Sequence, residues 1–208
     1  MSEENQILSK SSEQPLLMIL SGLSGAGKDA VLNRLKQSGF PPVSVTTVTT
    51  RARRANERDG EHYHFISDER FREMVAGDEL LEHATVYGNS YGVPREAVRQ
   101  ALDNGRDVII KVDVQGALTI KKKVPGAIFI FLTPASLDEL AARLRERRTE
   151  SPEDLELRLK TAKAELEKLS LFDYLVINRH GEVSRAVADI EAIYRAEKRR
   201  VKPRDISL

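Results

Sequence analysis

Eight consecutive residues, Gly22, Leu23, Ser24, Gly25, Ala26, Gly27, Lys28 and Asp29, carry the clearest chemistry in this chain. They fit the phosphate-binding pattern G-x-x-x-x-G-K-[ST] at every position but the last. Glycines let the backbone curl until successive N–H groups face inward and cradle phosphate oxygens. A helix that follows adds its positive end, and Lys28 has the reach to neutralise β- and γ-phosphates. Residues 16–20 read as a buried strand and residues 30–35 as the start of an amphipathic helix, the frame such a loop requires and a chance glycine-rich turn lacks. Asp29 stands where a hydroxyl is usual. A carboxylate there can bind Mg²⁺, directly or through water, but repels phosphate.

A second set lies between positions 47 and 92. Arg51 and Arg54 offer planar forks for phosphate oxygens; Thr47, Tyr63 and Tyr91 offer neutral hydroxyl donors. Singly, an arginine-rich loop is usually a wet surface, and a tyrosine in a short strand is usually packing. Together they stand in a pattern that resembles the monophosphate-binding lobe of guanylate kinases, S-x-T-T-R-x-x-R-x-G-E-x-x-G-x-x-Y-x-F. Residues 81–84 (Leu-Glu-His-Ala), 87–92 (Tyr-Gly-Asn-Ser-Tyr-Gly), 113–116 (Asp-Val-Gln-Gly) and 143–147 (Arg-Leu-Arg-Glu-Arg), with Arg158 beyond, match that family in order and spacing. The resemblance runs from about residue 16 to residue 198.

The resemblance implies phosphoryl transfer from ATP to GMP, giving ADP and GDP, with Mg²⁺ accompanying ATP. Thr47, Arg51, Arg54, Tyr63, Glu82, Tyr91 and Asp113 would bind GMP. Glu82 can accept hydrogen bonds from guanine N1–H and its 2-amino group, donors that adenine lacks. Arg143, Arg147 and Arg158 would act with Lys28 on the transferring phosphoryl group from a mobile lid, and Asn178 would lie near the adenine of ATP. Arg53, Arg58, His62, His64 and His83 read as surface or packing. Ribose 1,5-bisphosphate phosphokinases of the same superfamily also carry Gly-Lys-Asp in the loop. Non-catalytic guanylate kinase-like interaction modules have degraded loops, whereas Gly22, Gly25, Gly27 and Lys28 are intact here.

Several positions depart from the family pattern. Asp29 replaces Ser or Thr, Lys111 replaces an acidic residue two before Asp113, and Val93 replaces the Ser or Thr that bonds guanine O6. Asn56 and Arg148 each stand for a glycine, and Arg179 for the Asp after Asn178. The changes at 29 and 111 have opposite sign, and both positions belong to the carboxyl edge of the sheet. They predict an Asp29–Lys111 pair that keeps the local charge near what transfer requires.

The elements that position these groups alternate strand with helix, which predicts an α/β fold: a P-loop NTPase-type parallel sheet with helices on both faces. Strands are expected over 43–50, 107–112, 127–132 and 174–178. Helices are expected at 68–76, with Phe71 and Val75 on one face, from Pro94 to 102, at 115–123, after Ser136, from Ser151-Pro152, and at 183–198. Residues 87–92 read as a loop. The expected organisation is a disordered tail at 1–14, a core at 15–42, 94–135 and 161–208, an inserted GMP-binding lobe at 43–93, and an arginine-rich lid at 136–160.

Composition narrows the class. The 208 residues carry 40% hydrophobic and 31% charged side chains, as a folded soluble protein does. A net charge of +1 argues against a general nucleic-acid binder. With no Cys there is no disulfide or thiolate metal site, which points to the cytoplasm. No apolar run approaches membrane-spanning length, and the polar opening predicts no signal peptide. The expected partners are the small molecules ATP and GMP, without nucleic acid or membrane; oligomeric state is left open.

Overall fold

A computed structural model describes residues 14–55, 57–86, 88–146 and 152–208. Asn56, Arg147, Arg148, Ser151 and nearly all of the expected tail at 1–14 lie outside the described residues.

The apolar run after Pro15 becomes strand β1 (Leu17–Gly22), at the middle of a five-stranded sheet. Its neighbours are β7 (Val108–Lys111) on one side and β8 (Ile128–Thr133) on the other, with β2 (Val43–Ser44) and β9 (Tyr174–Ile177) at the edges. Every pairing in this sheet is parallel. Side chains alternate faces along a strand, so β1 feeds two apolar clusters. Met18 and Leu20 pack with helices α1 (Lys28–Gln37), α5 (Leu137–Glu146) and α7 (Val183–Glu197). Leu17 and Ile19 pack with α3 (Arg95–Asp103) and α4 (Val114–Lys123). Helices on both faces explain why β1, β7 and β8 are almost continuously apolar.

The stretch expected as one strand over 43–50 divides. β2 joins the main sheet, and β3 (Val48–Thr49) joins a second, mixed sheet in the order β4-β3-β6-β5, with β4 at His64–Phe65. β5 (Leu80–Val86) and β6 (Asn89–Pro94) form an antiparallel hairpin. The segment read as a loop at 87–92 is therefore largely strand. Its Gly, Asn and Ser look like turn residues, but the ladder to β5 holds them extended. Pro94 ends β6 and caps α3 rather than opening its first turn. Ser67 caps α2 (Asp68–Ala76), accepting from the Arg70 amide at 3.2 Å. On that helix Met74 is buried with Phe71, while Val75 is exposed. The second sheet is backed by a small cluster, Val48, Phe71, Met74 and Leu80.

On the other side, the Glu139 amide donates to Ser136 Oγ at 3.1 Å, while Glu139 Oε2 accepts from the Ala135 amide at 3.2 Å; together they cap α5. α6 (Pro152–Leu166) brings Leu155, Leu159 and Leu166 against the larger cluster. Among the described residues, no helix is long and apolar enough to cross a membrane.

Candidate active site

The glycine loop runs from the end of β1 into α1. Gly22 has φ of +130°, and a Cβ there would collide with the backbone of Leu132 on β8. Gly27, at φ +91°, is the residue from which α1 starts, and a Cβ would come within 2.5 Å of Asn178 Nδ2. Only glycine satisfies both the dihedral and the space. Other side chains brace the loop from behind. Asn178 Nδ2 donates to Ala26 O at 2.8 Å. Arg143 donates to Ala26 O at 3.2 Å and to Asn178 O at 2.6 Å, and pairs with Glu139. Leu140 and Leu144 of α5 sit beneath Gly25.

Lys28 donates its ammonium to the loop carbonyls of Gly22, at 2.7 Å, and Leu23, at 3.1 Å. Burial lowers its pKa, and the charges of Glu165 and Asp29 oppose that shift. Glu165 is a participant that sequence reasoning missed. It reaches from α6 toward the loop, beside Ser24 and Lys28, and buries Oε2 without a hydrogen-bond partner. Burial raises its pKa against the pull of Lys28. A carboxylate thus stands beside the glycine loop and its lysine. Arg158 lies on α6 seven residues before Glu165, two helical turns along the same face.

The residues expected to bind GMP lie across a cleft. Arg51 pairs with Glu57 at 2.6 Å, and a second oxygen of Glu57 accepts from the Arg54 amide at 2.8 Å. Glu57 appears in the family pattern quoted above but drew no role; the spacing R-x-x-R-x-x-E was the signal. Burial works against the charge on Arg51, but the hydrogen bond and charge of Glu57, with a smaller contribution from nearby Tyr91, outweigh it, and its pKa rises. Its guanidinium lies 5.6 Å from the ring centroid of Tyr63, which meets Tyr91 edge-on at 5.9 Å. Arg54 is exposed.

A cavity of about 150 Å³ opens between these groups and the loop, touched by Lys28, Thr47, Tyr63, Glu82, Tyr91 and Asp113. The structure thus gathers most of the expected GMP set with the loop lysine, leaving the two arginines outside that small cavity. Glu82 is only 3% exposed, and its Oε2 is buried without a hydrogen-bond partner. Burial first, then the charge of Asp113, pushes its pKa up to about 8, against the pull of Lys123. Gly116 makes room for it, since a Cβ there would stand 2.6 Å from Glu82 Oε2. Asp113 caps α4 by accepting from the Gly116 amide at 2.6 Å. Val93 is fully buried in the apolar cluster with Leu81 and Val98.

Asp29 and Lys111 meet as an ion pair, as their opposite signs predicted. Lys111 also donates to Tyr63 Oη at 2.9 Å. Beside the loop a wider cavity of about 440 Å³ is touched by Gly27, Ala30, Arg143, Asn178 and Arg179.

Comparison with known proteins now fits this geometry. The guanylate kinase family model matches residues 14–197. The chain belongs to the guanylate kinase family. A guanylate kinase of Desulfitobacterium hafniense is 46% identical over 188 residues, covering 90% of this chain and 92% of the relative. The rice protein "Guanylate kinase 2, chloroplastic/mitochondrial" is 40% identical over 196 residues, 94% of this chain and 69% of its own length. The crystal structure of guanylate kinase from Anaplasma phagocytophilum superposes with a TM-score of 0.73 at 30% identity, covering 91% of this chain and 88% of that one.

Proposed function

We propose that this guanylate kinase phosphorylates GMP with ATP, releasing ADP and GDP. One observation carries the choice of acceptor: a buried carboxylate with an unpartnered oxygen, Glu82, shares a cavity with the loop lysine. A carboxylate is worth burying there when a ligand brings paired N–H donors, as guanine does. A sugar bisphosphate brings no such pair, so the acceptor reading based on ribose 1,5-bisphosphate leaves Glu82 unexplained.

The ATP triphosphate would lie in the nest of residues 22–29, with adenine in the cavity beside Asn178. The GMP phosphate would be held by Arg51, Arg54, Tyr63, Tyr91 and Thr47. An oxygen of that phosphate attacks the γ-phosphorus in line; the new P–O bond forms as the bond to the ADP oxygen breaks. Positioning and charge neutralisation supply the rate, so no side-chain nucleophile is needed. Lys28 balances charge on the donor phosphates, and Arg143, Arg147 and Arg158 would add to it from the segment 136–160. Arg143 is already anchored on the loop through Ala26.

Among the described residues, no group of three or more His, Cys, Asp or Glu could hold a metal. Asp29 is engaged by the Lys111 ammonium, so it would help hold the Mg²⁺ that accompanies ATP through water rather than directly. The metal would polarise the transferring phosphate. A cytoplasmic setting belongs to the same proposal and rests on the cysteine-free composition.

The test is ADP formation across an acceptor panel. GMP should give the highest kcat/KM, followed by dGMP and IMP, with AMP and ribose 1,5-bisphosphate far below. AMP equal to GMP, or turnover only with ribose 1,5-bisphosphate, would overturn the assignment.

A further inference from the structure

Lys111 ends strand β7, at a position where the family pattern carries an acidic residue. Its side chain is 12% exposed, and its ammonium has partners on both sides of the cleft. On the donor side it pairs with Asp29, in the first turn of the helix that follows the glycine loop. On the acceptor side it donates to Tyr63 Oη at 2.9 Å and stands 4.4 Å from the centroid of that ring. It lines the same cavity as Lys28 and Glu82. Burial alone would drive its proton off. The charge of Asp29 and the contact with Tyr63 outweigh burial and raise its pKa, so it remains a cation at neutral pH.

We propose that Lys111 is a further ligand for the acceptor phosphate. This rests on the reading of the site as a GMP kinase and deepens it. Tyr63 belongs to the phosphate-binding set, and the guanidinium of Arg51 lies 5.6 Å from the same ring. A dianion that reaches the Tyr63 hydroxyl therefore arrives beside the ammonium of Lys111. Asp29, 70% exposed, holds the ammonium charged and oriented until then. It loses little by sharing it, because its own charge stays largely in water. The swap of signs at 29 and 111 would thus do more than conserve local charge. It places a resident cation between two anionic substrates, where the family pattern carries an acidic residue.

A purely structural tie between α1 and β7 would affect every ligand alike, or none. The distinguishing experiment is calorimetric titration of wild type, Lys111→Met and Lys111→Arg with GMP and with guanosine, which lacks the phosphate. A lost charge-assisted contact corresponds to about tenfold or more in affinity. Lys111→Met should therefore weaken GMP by about that factor while guanosine affinity stays within about twofold, and Lys111→Arg should recover most of the loss. Equal effects on both ligands, or no effect on either, would overturn the proposal. Should Lys111→Met not fold, the ζ-¹⁵N resonance of Lys111 in wild type decides: it should shift with GMP and not with guanosine, and an identical response to both refutes the contact. A wild-type chain that fails to phosphorylate GMP would overturn the acceptor reading itself, a result distinct from an active enzyme indifferent to Lys111.

Discussion

The glycine loop at residues 22–29 and the acceptor lobe at residues 43–93 differ in how much of the protein stands behind them. The loop is built from β1 at the centre of the main sheet, wedged against Leu132 and held through Ala26 by Asn178 and Arg143. The lobe has strands as short as two residues and a buried apolar cluster of Val48, Phe71, Met74 and Leu80. The Arg51 side chain and the Arg54 backbone, proposed to hold the acceptor phosphate, lean on Glu57 within their own loop. A donor site that must align a triphosphate gains from rigidity, because each donor is aimed before the charge develops. An acceptor site that must admit GMP and then exclude water gains from being able to move. Lys111, bonded to Asp29 on one side and Tyr63 on the other, joins the two.

The contrast can be broken by mutations on either side. The largest effect belongs to Lys28→Met, which should lower kcat by about 10³-fold while the KM for GMP changes little. Steady-state kinetics with circular dichroism as a folding control checks this; an equal rise in the GMP KM would mean the two sites are not separable. Next, Arg51→Ala should raise the GMP KM by about 10²-fold with the ATP KM unmoved. Glu57→Gln should have the same sign and a smaller size, because it leaves the guanidinium present but no longer aimed.

Smaller still is a pH effect. Glu82 in the free protein holds its proton up to about pH 8, whereas reading guanine N1–H and its 2-amino group requires the carboxylate. Binding GMP must therefore release a proton below that pH, and kcat/KM for GMP should rise from pH 6 to pH 8 by about tenfold or more. Glu82→Gln carries no such proton, so its profile should retain only the titration of GMP itself. Parallel profiles for the two enzymes would contradict the role given to Glu82. Smallest of all, Val93→Thr should improve the preference for GMP over AMP only a few-fold, because its hydroxyl enters an apolar cluster and offsets about 1 kcal/mol of any gain.

The two regions also differed in how readily they could be read from the chain. Eight contiguous residues announced the loop, because backbone curvature and one lysine are local requirements. The parallel sheet was legible for a similar reason: strands covered on both faces leave unbroken apolar runs, as at residues 108–110 and 128–132. The lobe was legible only as a scattered pattern resembling a family. Taken alone, Arg51, Tyr63 and Glu82 look like ordinary surface and strand residues, since what joins them is a fold in between. Glycine and asparagine at residues 88–92 suggested a loop, and the β5 ladder overruled them. Glu165 gave no signal at all. On a helix of otherwise routine amphipathicity, nothing local marks the carboxylate that faces Lys28 and the glycine loop.

The most direct test of the account is a crystal structure with GMP alone. The phosphate should lie against Arg51, Arg54 and Tyr63, with guanine N1 and its 2-amino group on Glu82. Residues 22–28 should stay where they are while the segment 43–93 draws inward. A GMP phosphate bound in the glycine loop, or a base turned away from Glu82, would contradict it.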